Sequence, residues 1–203
     1  RLLEEEMTIE KKTTVANWEF IEGTLVGKNI VLVQSGIGKV MSALATGILI
    51  DRFGVDLVMN TGSAGGFGTT LEIGDIVIGT ELAYCDADVT AFNYAYGQMP
   101  GMPARFAMNR DFLPSIEQAI AKVDLKSHTG LIVSSDSFIH TREQRTHILK
   151  HFPDVMASEM EGAAIAQACH AFGVPFIVIR AISDIPERGT SAVDFDTFIV
   201  QAG

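Results

Sequence analysis

Cysteine is scarce in this 203-residue chain, which holds only Cys85 and Cys169, far apart in sequence. That excludes a disulfide framework and reads as two reduced core thiols in a reducing compartment, so a cytoplasmic protein is expected. Basic residues are in deficit: 15 Lys and Arg stand against 25 Asp and Glu, for a formal net charge of −10. Such a surface repels phosphate backbones and anionic lipid, so neither nucleic acid nor a membrane is an expected partner. Every apolar run is broken by Gly, Asp or Arg before the roughly 18 residues that a spanning helix needs. No basic segment followed by an apolar one opens the chain, so no leader peptide is expected. Apolar residues, by contrast, are plentiful. At 47% hydrophobic and 20% charged, a chain of this length can bury one substantial core, which argues against disorder and for a single domain.

Short apolar runs alternate with helical patterns. NIVLVQSG (29–36), DLVMN (56–60), GDIVIGTELAY (74–84), HTGLIVSSD (128–136), VMASEM (155–160) and PFIVIRAISD (175–184) read as strands, the first and last of them buried. The third is expected to be irregular near Gly79. Between them, VMSALATGILIDRF (40–53), DFLPSIEQAIAKV (111–123), TREQRTHILKHF (141–152) and EGAAIAQACHAFG (161–173) read as helices, with Gly54 and Gly173 as stops and Asp111 opening the second. This alternation is the α/β signature, with a mixed or mostly parallel sheet whose carboxyl edge is where ligands sit.

Polar residues where apolar strands end are the candidates for chemistry. QSGIGKV, NTGSAGG, SEMEG and RAISD stand at four such places. SGIGK lacks the spacing of either phosphate loop, so a tight turn is the simpler reading, and TGSAGG reads as well as a plain turn as it does as a segment whose backbone approaches a ligand. Glu159 and Glu161 flank Met160; in an extended segment they point to one side, where two carboxylates can share a cavity. Arg180 and Asp184 interrupt the most apolar strand, either as a structural ion pair or as site residues. His147 and His151 are four apart on a helix, but no third ligand accompanies them, so no metal is expected. Nor does a GxSxG elbow occur. The loop DADVTAFNYAYGQMPGMP clusters Phe92, Tyr94, Tyr96, Met99 and Met102, and apolar loops of this kind cover a pocket, form a subunit interface or pack internally.

Taken together, SGIGKV, NTGSAGG, GDIVIG, DADVTAF with YGQMPGMP, SSDSFI, SEMEGAAIAQ and FIVIRAISD resemble, in order and spacing, the bacterial 5'-methylthioadenosine/S-adenosylhomocysteine nucleosidases. The resemblance covers nearly the whole chain. It implies a nucleoside phosphorylase-like three-layer α/β/α sandwich with a mixed central sheet. It also implies hydrolysis of the N-glycosidic bond to adenine and a thioribose, no cofactor, and a homodimer. Carried over residue by residue, it implies Asp184 as the acid at adenine N7, beside Ser183. Phe138 stacks on the base and Ile139 bonds it through its backbone. Glu161 accepts from the ribose hydroxyls over Met160, while Glu159, Ser63 and Arg180 line the region of the attacking water, with Ala64 and Gly65 beside Ser63. Phe195 and Ile37 border an alkylthio pocket, and Val89, Phe92, Tyr94 and Pro100 belong to a dimer loop.

The family's first strand ends in a Met-Glu-Glu-Glu type motif whose last Glu serves as base on the water. Here Glu4, Glu5 and Glu6 lie in a helix-like segment, so that role does not transfer to Glu6. The expectation is a single domain over 1–203 that lacks the first strand and part of the last helix. Two alternatives stay open: a purine nucleoside phosphorylase of the same fold, and a non-catalytic nucleoside-binding protein.

Overall fold

A computed structural model of the chain describes residues 2–185 and 194–198. A short helix α1 (Leu2–Glu6) leads into a meander of β1 (Thr8–Val15), β2 (Trp18–Leu25) and β3 (Lys28–Val33). These pair antiparallel in a sheet of their own. The meander was not foreseen, and β3 is a half-exposed strand of this small sheet rather than a buried strand of the main one. Then follow α2 (Lys39–Phe53), β4 (Val58–Gly66), β5 (Ile76–Tyr84), β6 (Phe106–Ala107) and α3 (Leu113–Ala121). After these come β7 (Ser127–Ser134), α4 (Arg142–His151), β8 (Val155–Glu159), α5 (Gly162–Phe172) and β9 (Phe176–Asp184). Residues 194–198 are helical, and the rest of the expected final helix lies outside the described residues.

The helix boundaries follow local chemistry. Gly54 and Gly173 end α2 and α5 in the left-handed conformation, φ 65° and 69°, as the sequence indicated. Thr141 and Gln144 form a reciprocal capping box at the start of α4. Asp111 does not open its helix; Asn109 does, its side chain accepting from the Asp111 N–H ahead of a 3-10 turn that runs into α3. TGSAGG is not a turn either. β4 runs straight through it to Gly66, paired in parallel along β9 and, at Gly65 and Gly66, antiparallel to β8.

The main sheet has the order β6-β5-β7-β8-β4-β9, and β5 also pairs with β9. Five of its strands therefore close on themselves. Pairings β5–β7, β7–β8 and β4–β9 are parallel, and β4–β8 and β5–β9 antiparallel. The β5–β7 register shifts between Gly79 and Glu81, the irregularity expected there. Alternation along β7 creates the layers. Leu131 and Val133 pack with Ile148 of α4 and Phe152 on one face, and Ile132 belongs with Ile116 of α3, Ile165 and Cys169 of α5 on the other. Helices thus cover both faces of a mixed sheet, the expected three-layer arrangement. Cys85 and Cys169 are both buried, and burial pushes each thiol up to about 12. Among the described residues no helix is long and apolar enough to cross a membrane.

A third cluster joins the small sheet to the rest. Trp18 and Phe20 of β2 pack on Ala45 of α2, the Phe20 ring stacks on Phe53 at 4.8 Å, and Trp18 Nε1 donates to the Ser35 carbonyl at 2.8 Å. Phe20 is fully buried. Phe20→Ala is therefore expected to cost about 3–5 kcal/mol in urea unfolding. A loss under about 1 kcal/mol would mean that the small sheet does not share the core with α2.

Candidate active site

Three charged side chains of β8 and β9 are buried: Glu159 is 7%, Arg180 3% and Asp184 1% exposed. A buried charge persists only when its partners replace water. Arg180 Nη2 donates to Glu159 Oε2 and to Asn60 Oδ1, and lies 3.4 Å from Glu161 Oε2. The guanidinium reaches Asn60 by crossing β4 at Gly62, where any Cβ would strike Nη1. β4 carries no side chain there because the arginine occupies that space.

Glu159 accepts from four directions. Ser134 Oγ donates to Oε1, while the N–H groups of Glu161 (3.0 Å) and Gly162 (2.7 Å) donate to Oε2 alongside Arg180. Ser134 Oγ in turn accepts from the Ala163 N–H at 2.8 Å, so its own proton is directed at Glu159. The carboxylate thus sits on the unsatisfied amides at the start of α5, where an anion is favoured. With both oxygens occupied by donors, Glu159 orders its neighbours and is badly placed to act as a base.

The reason for pairing Glu159 with Glu161 needs correction. The strand stops at Glu159, and Glu161 occupies the N-cap of α5 (φ −131°, ψ −40°), so the two do not alternate along an extended segment. They converge because Arg180 reaches both. Glu161 Oε1 accepts from the Gly38 N–H at 3.0 Å, tying the SGIGK turn to α5. Burial pushes the Glu161 carboxyl above its ordinary value; the Gly38 amide and Arg180 pull it down, and the Glu159 charge raises it further.

Asp184 ends β9 with Oδ1 2.9 Å from Ser183 Oγ, which also lies 3.3 Å from the Ala64 carbonyl. Of the residues singled out in sequence, Gly65, Phe138, Ile139, Glu159, Met160 and Asp184 line one cavity of about 20 Å³. Ser137 and Ser158 complete its lining. That space holds about one water. It is an order of magnitude below the ~300 Å³ of an ordinary ligand pocket, so a purine enters only if a wall moves. Its most exposed apolar wall is Phe138, 39% exposed, with its ring 6.0 Å from His140 and 5.6 Å from Phe195.

The other predicted residues lie outside this cavity. Glu161 and Arg180 stand behind Glu159. Ser63 is half-buried on β4 opposite Ala181, and Ala64 and Ser183 are buried. Ile37 is 75% exposed ahead of α2. In the aromatic loop Phe92 is 74% exposed, Pro100 is exposed, and Val89 and Tyr94 are half-buried. Tyr96, by contrast, packs inward: its ring stacks 3.8 Å from His151 and its hydroxyl lies 2.9 Å from His147 Nε2, so these histidines anchor the loop. A larger groove of about 560 Å³, bounded by Val15, Leu44, Ile48 and Phe172, holds none of the predicted site residues. Among the described residues no group of three or more His, Cys, Asp or Glu could hold a metal ion. Asn60 and Ser134, both in contact with the buried charges, were missed. Each follows an apolar run (DLVMN, GLIVS), the same signal that marked Asp184.

The model of the phosphorylase superfamily matches residues 1–203. A 5'-methylthioadenosine/S-adenosylhomocysteine nucleosidase of Anoxybacillus flavithermus is 51% identical over 202 residues, 99% of this chain and 87% of that protein. Among solved structures, the nucleosidase of that name from Neisseria meningitidis, in complex with methylthio-immucillin-A, superposes with a TM-score of 0.93 at 48% identity, covering 97% of this chain and 85% of that one. The nucleosidase from Colwellia psychrerythraea, in complex with adenine, gives 0.93 at 46% identity over 97% of this chain and 82% of its own. The chain therefore belongs to the phosphorylase superfamily and, within it, to the 5'-methylthioadenosine/S-adenosylhomocysteine nucleosidase family.

Proposed function

We propose that the protein hydrolyses the N-glycosidic bond of 5'-methylthioadenosine and S-adenosylhomocysteine, releasing adenine and the thioribose. The observation that carries this reading is the shared cavity. Asp184, at the end of an apolar strand, lines the same cavity as Phe138, Ile139 and Met160, which supports a site made of an acid, an aromatic plane and an apolar floor.

Breaking a ribosyl C–N bond passes through a cation-like sugar, so a catalyst protonates the leaving base, steadies positive charge on the ribose and supplies water. Asp184 gives its proton to N7 of adenine, with Ser183 fixing the carboxyl's orientation. To act as the acid it must carry its proton when substrate is bound. Phe138 stacks on the base and the Ile139 backbone bonds its edge. Glu161, held by Gly38 and Arg180, accepts from the ribose hydroxyls over Met160. Ser63, Ala64 and Gly65 border the sugar, and Arg180 serves through its hold on both glutamates. Glu159, saturated by its donors, positions the start of α5; water bonds to the ribose carbon as the C–N bond breaks, its lost proton passes to solvent, and Asp184 is reprotonated from solvent. Glu4–Glu6 lie in α1, with Glu4 bonded to Lys12 at 2.7 Å, and are given no part in the reaction.

An uncharged alkylthio group calls for an apolar pocket, to which Phe195 and Ile37 contribute. A methylene more or less there is worth only about 1–3 kcal/mol, so substituents of different length are accepted. The exposed Phe92, with Val89, Tyr94 and Pro100, belongs to the face on which a second copy seats in a homodimer. The enzyme works in the cytoplasm without metal or cofactor.

Adenine release from 5'-methylthioadenosine without dependence on phosphate is the expected activity; 5-methylthioribose 1-phosphate as product would assign a phosphorylase instead. Asp184→Asn should lower kcat by about 10²–10⁴-fold while leaving binding of a methylthio nucleoside analogue nearly unchanged, and undiminished turnover would remove Asp184 as the acid. The raised Glu161 pKa sets the sign of a pH effect. Protonated Glu161 is a poorer ribose acceptor, so analogue affinity should fall with decreasing pH at values above the ordinary 4.5 of a glutamate. Glu161→Gln should bind more weakly at neutral pH and lose that acid limb. Titration calorimetry across pH measures both, and an identical pH profile in the two proteins would take Glu161 out of the site.

A further inference from the structure

Three segments that carry predicted site residues meet at one ammonium group. Lys39, two residues after Ile37, places Nζ 2.7 Å from Asp86 Oδ2 and 3.6 Å from Asp136 Oδ2. Asp86 stands two residues beyond β5, at the head of the loop that holds Val89 and Phe92. Asp136 stands between β7 and Phe138. The main chain joins in: the Lys39 N–H donates to Asp136 Oδ1 at 2.8 Å, and the Asp136 N–H to Asp86 Oδ2 at 3.0 Å. Beneath the ammonium, 5.4 Å away, lies the ring of Tyr84, itself 7% exposed and fixed through its hydroxyl to Gln167 Oε1 at 2.6 Å.

This is more than a surface ion pair. Lys39 and Asp86 side chains keep only 25% and 29% of their exposure, which strengthens the attraction over that of a fully hydrated pair. Each carboxylate also accepts a backbone N–H, so loss of the cation loosens two main-chain tethers along with two ion pairs and the contact with the Tyr84 ring. None of the three lines the cavity, so any influence on a ligand passes through the backbone. The cavity is too small for a purine, its wall 137–139 holds the half-exposed Phe138, and residue 136, immediately before that segment, is the one held.

We propose that Lys39, Asp86 and Asp136 are positioning residues. They form a latch that fixes the near end of the base-holding segment while Ser137, Phe138 and Ile139 swing out and return over the purine. The inference rests on the nucleosidase reading of the cavity. Without the latch, the segment samples more conformations, and each purine bound must first order it.

The test is adenine binding by titration calorimetry on the full chain, with thermal melts alongside. Lys39→Met and Asp86→Asn are expected to weaken adenine binding at least about fivefold, with Tm moving by less than about 2 °C. Lys39→Arg should restore affinity to within about twofold, because it keeps the charge. The double variant Lys39→Met/Asp86→Asn should bind no more weakly than the weaker single one, since both break the same latch. Unchanged affinity in Lys39→Met, with wild type binding adenine, would overturn the latch and leave the nucleosidase reading standing. So would a loss that tracks Tm and is not restored by arginine, because that marks a merely structural role. A wild-type chain that binds neither adenine nor a methylthio nucleoside analogue would overturn the nucleosidase reading itself, and the latch with it.

Discussion

A single buried guanidinium organises the carboxyl edge of the sheet. Arg180 lies on β9, crosses β4 where Gly62 leaves room, ends on Asn60, and bridges Glu159 at the end of β8 to Glu161 at the start of α5. Such a pair adds little net stability, because desolvation of both ions offsets most of their attraction. Removing one partner, however, strands the other and costs about 3–5 kcal/mol. Its consequence here is geometric. It fixes the relative positions of β4, β8, β9 and α5, and so the places of Glu161 and Asp184.

Much of that edge was legible in the sequence, for a physical reason. Arg180 and Asp184 stand out because charge inside so apolar a strand demands a partner, and Glu159 with Glu161 stands out where an apolar strand meets a small-residue helix. The partnership itself was not legible. Either a local Arg180–Asp184 pair or two glutamates alternating along a strand was the natural reading. The guanidinium instead reaches across β4, a contact between residues over a hundred positions apart. TGSAGG misled for the same reason: four Gly and Ala in six residues suggest a turn, yet small residues are what a strand needs where an arginine and two neighbouring strands crowd it.

The small sheet escaped notice for local reasons. β1 is exposed at six of its eight positions and rich in Lys, Glu and Thr, so it shows no buried stripe. Its connections carry none of the Asn-Gly or Asp-Gly pairs that announce tight hairpins. Ala16 (φ 53°) and Val26 (φ 48°) take the left-handed conformation instead, which such residues seldom adopt. The helix stops at Gly54 and Gly173 were plain by the same logic, because glycine pays no steric cost there. Of the motifs that carried the resemblance to the nucleosidases, NTGSAGG, SSDSFI, SEMEG and RAISD each bring a residue to the one cavity, while SGIGKV, GDIVIG and the aromatic loop do not line it.

The account comes down to a carboxylic acid at the end of β9 aimed at a leaving purine, with a ribose-binding glutamate held nearby by Arg180. The cavity beside Asp184 is nearly closed, so the bound state is the informative one. A crystal structure of the protein with a 5'-methylthio adenosine analogue tests this most directly. The account predicts adenine N7 within about 3 Å of the Asp184 carboxyl, the ribose hydroxyls on Glu161 and the base under a displaced Phe138. A purine bound elsewhere, or with its sugar rather than its base against Asp184, would contradict it.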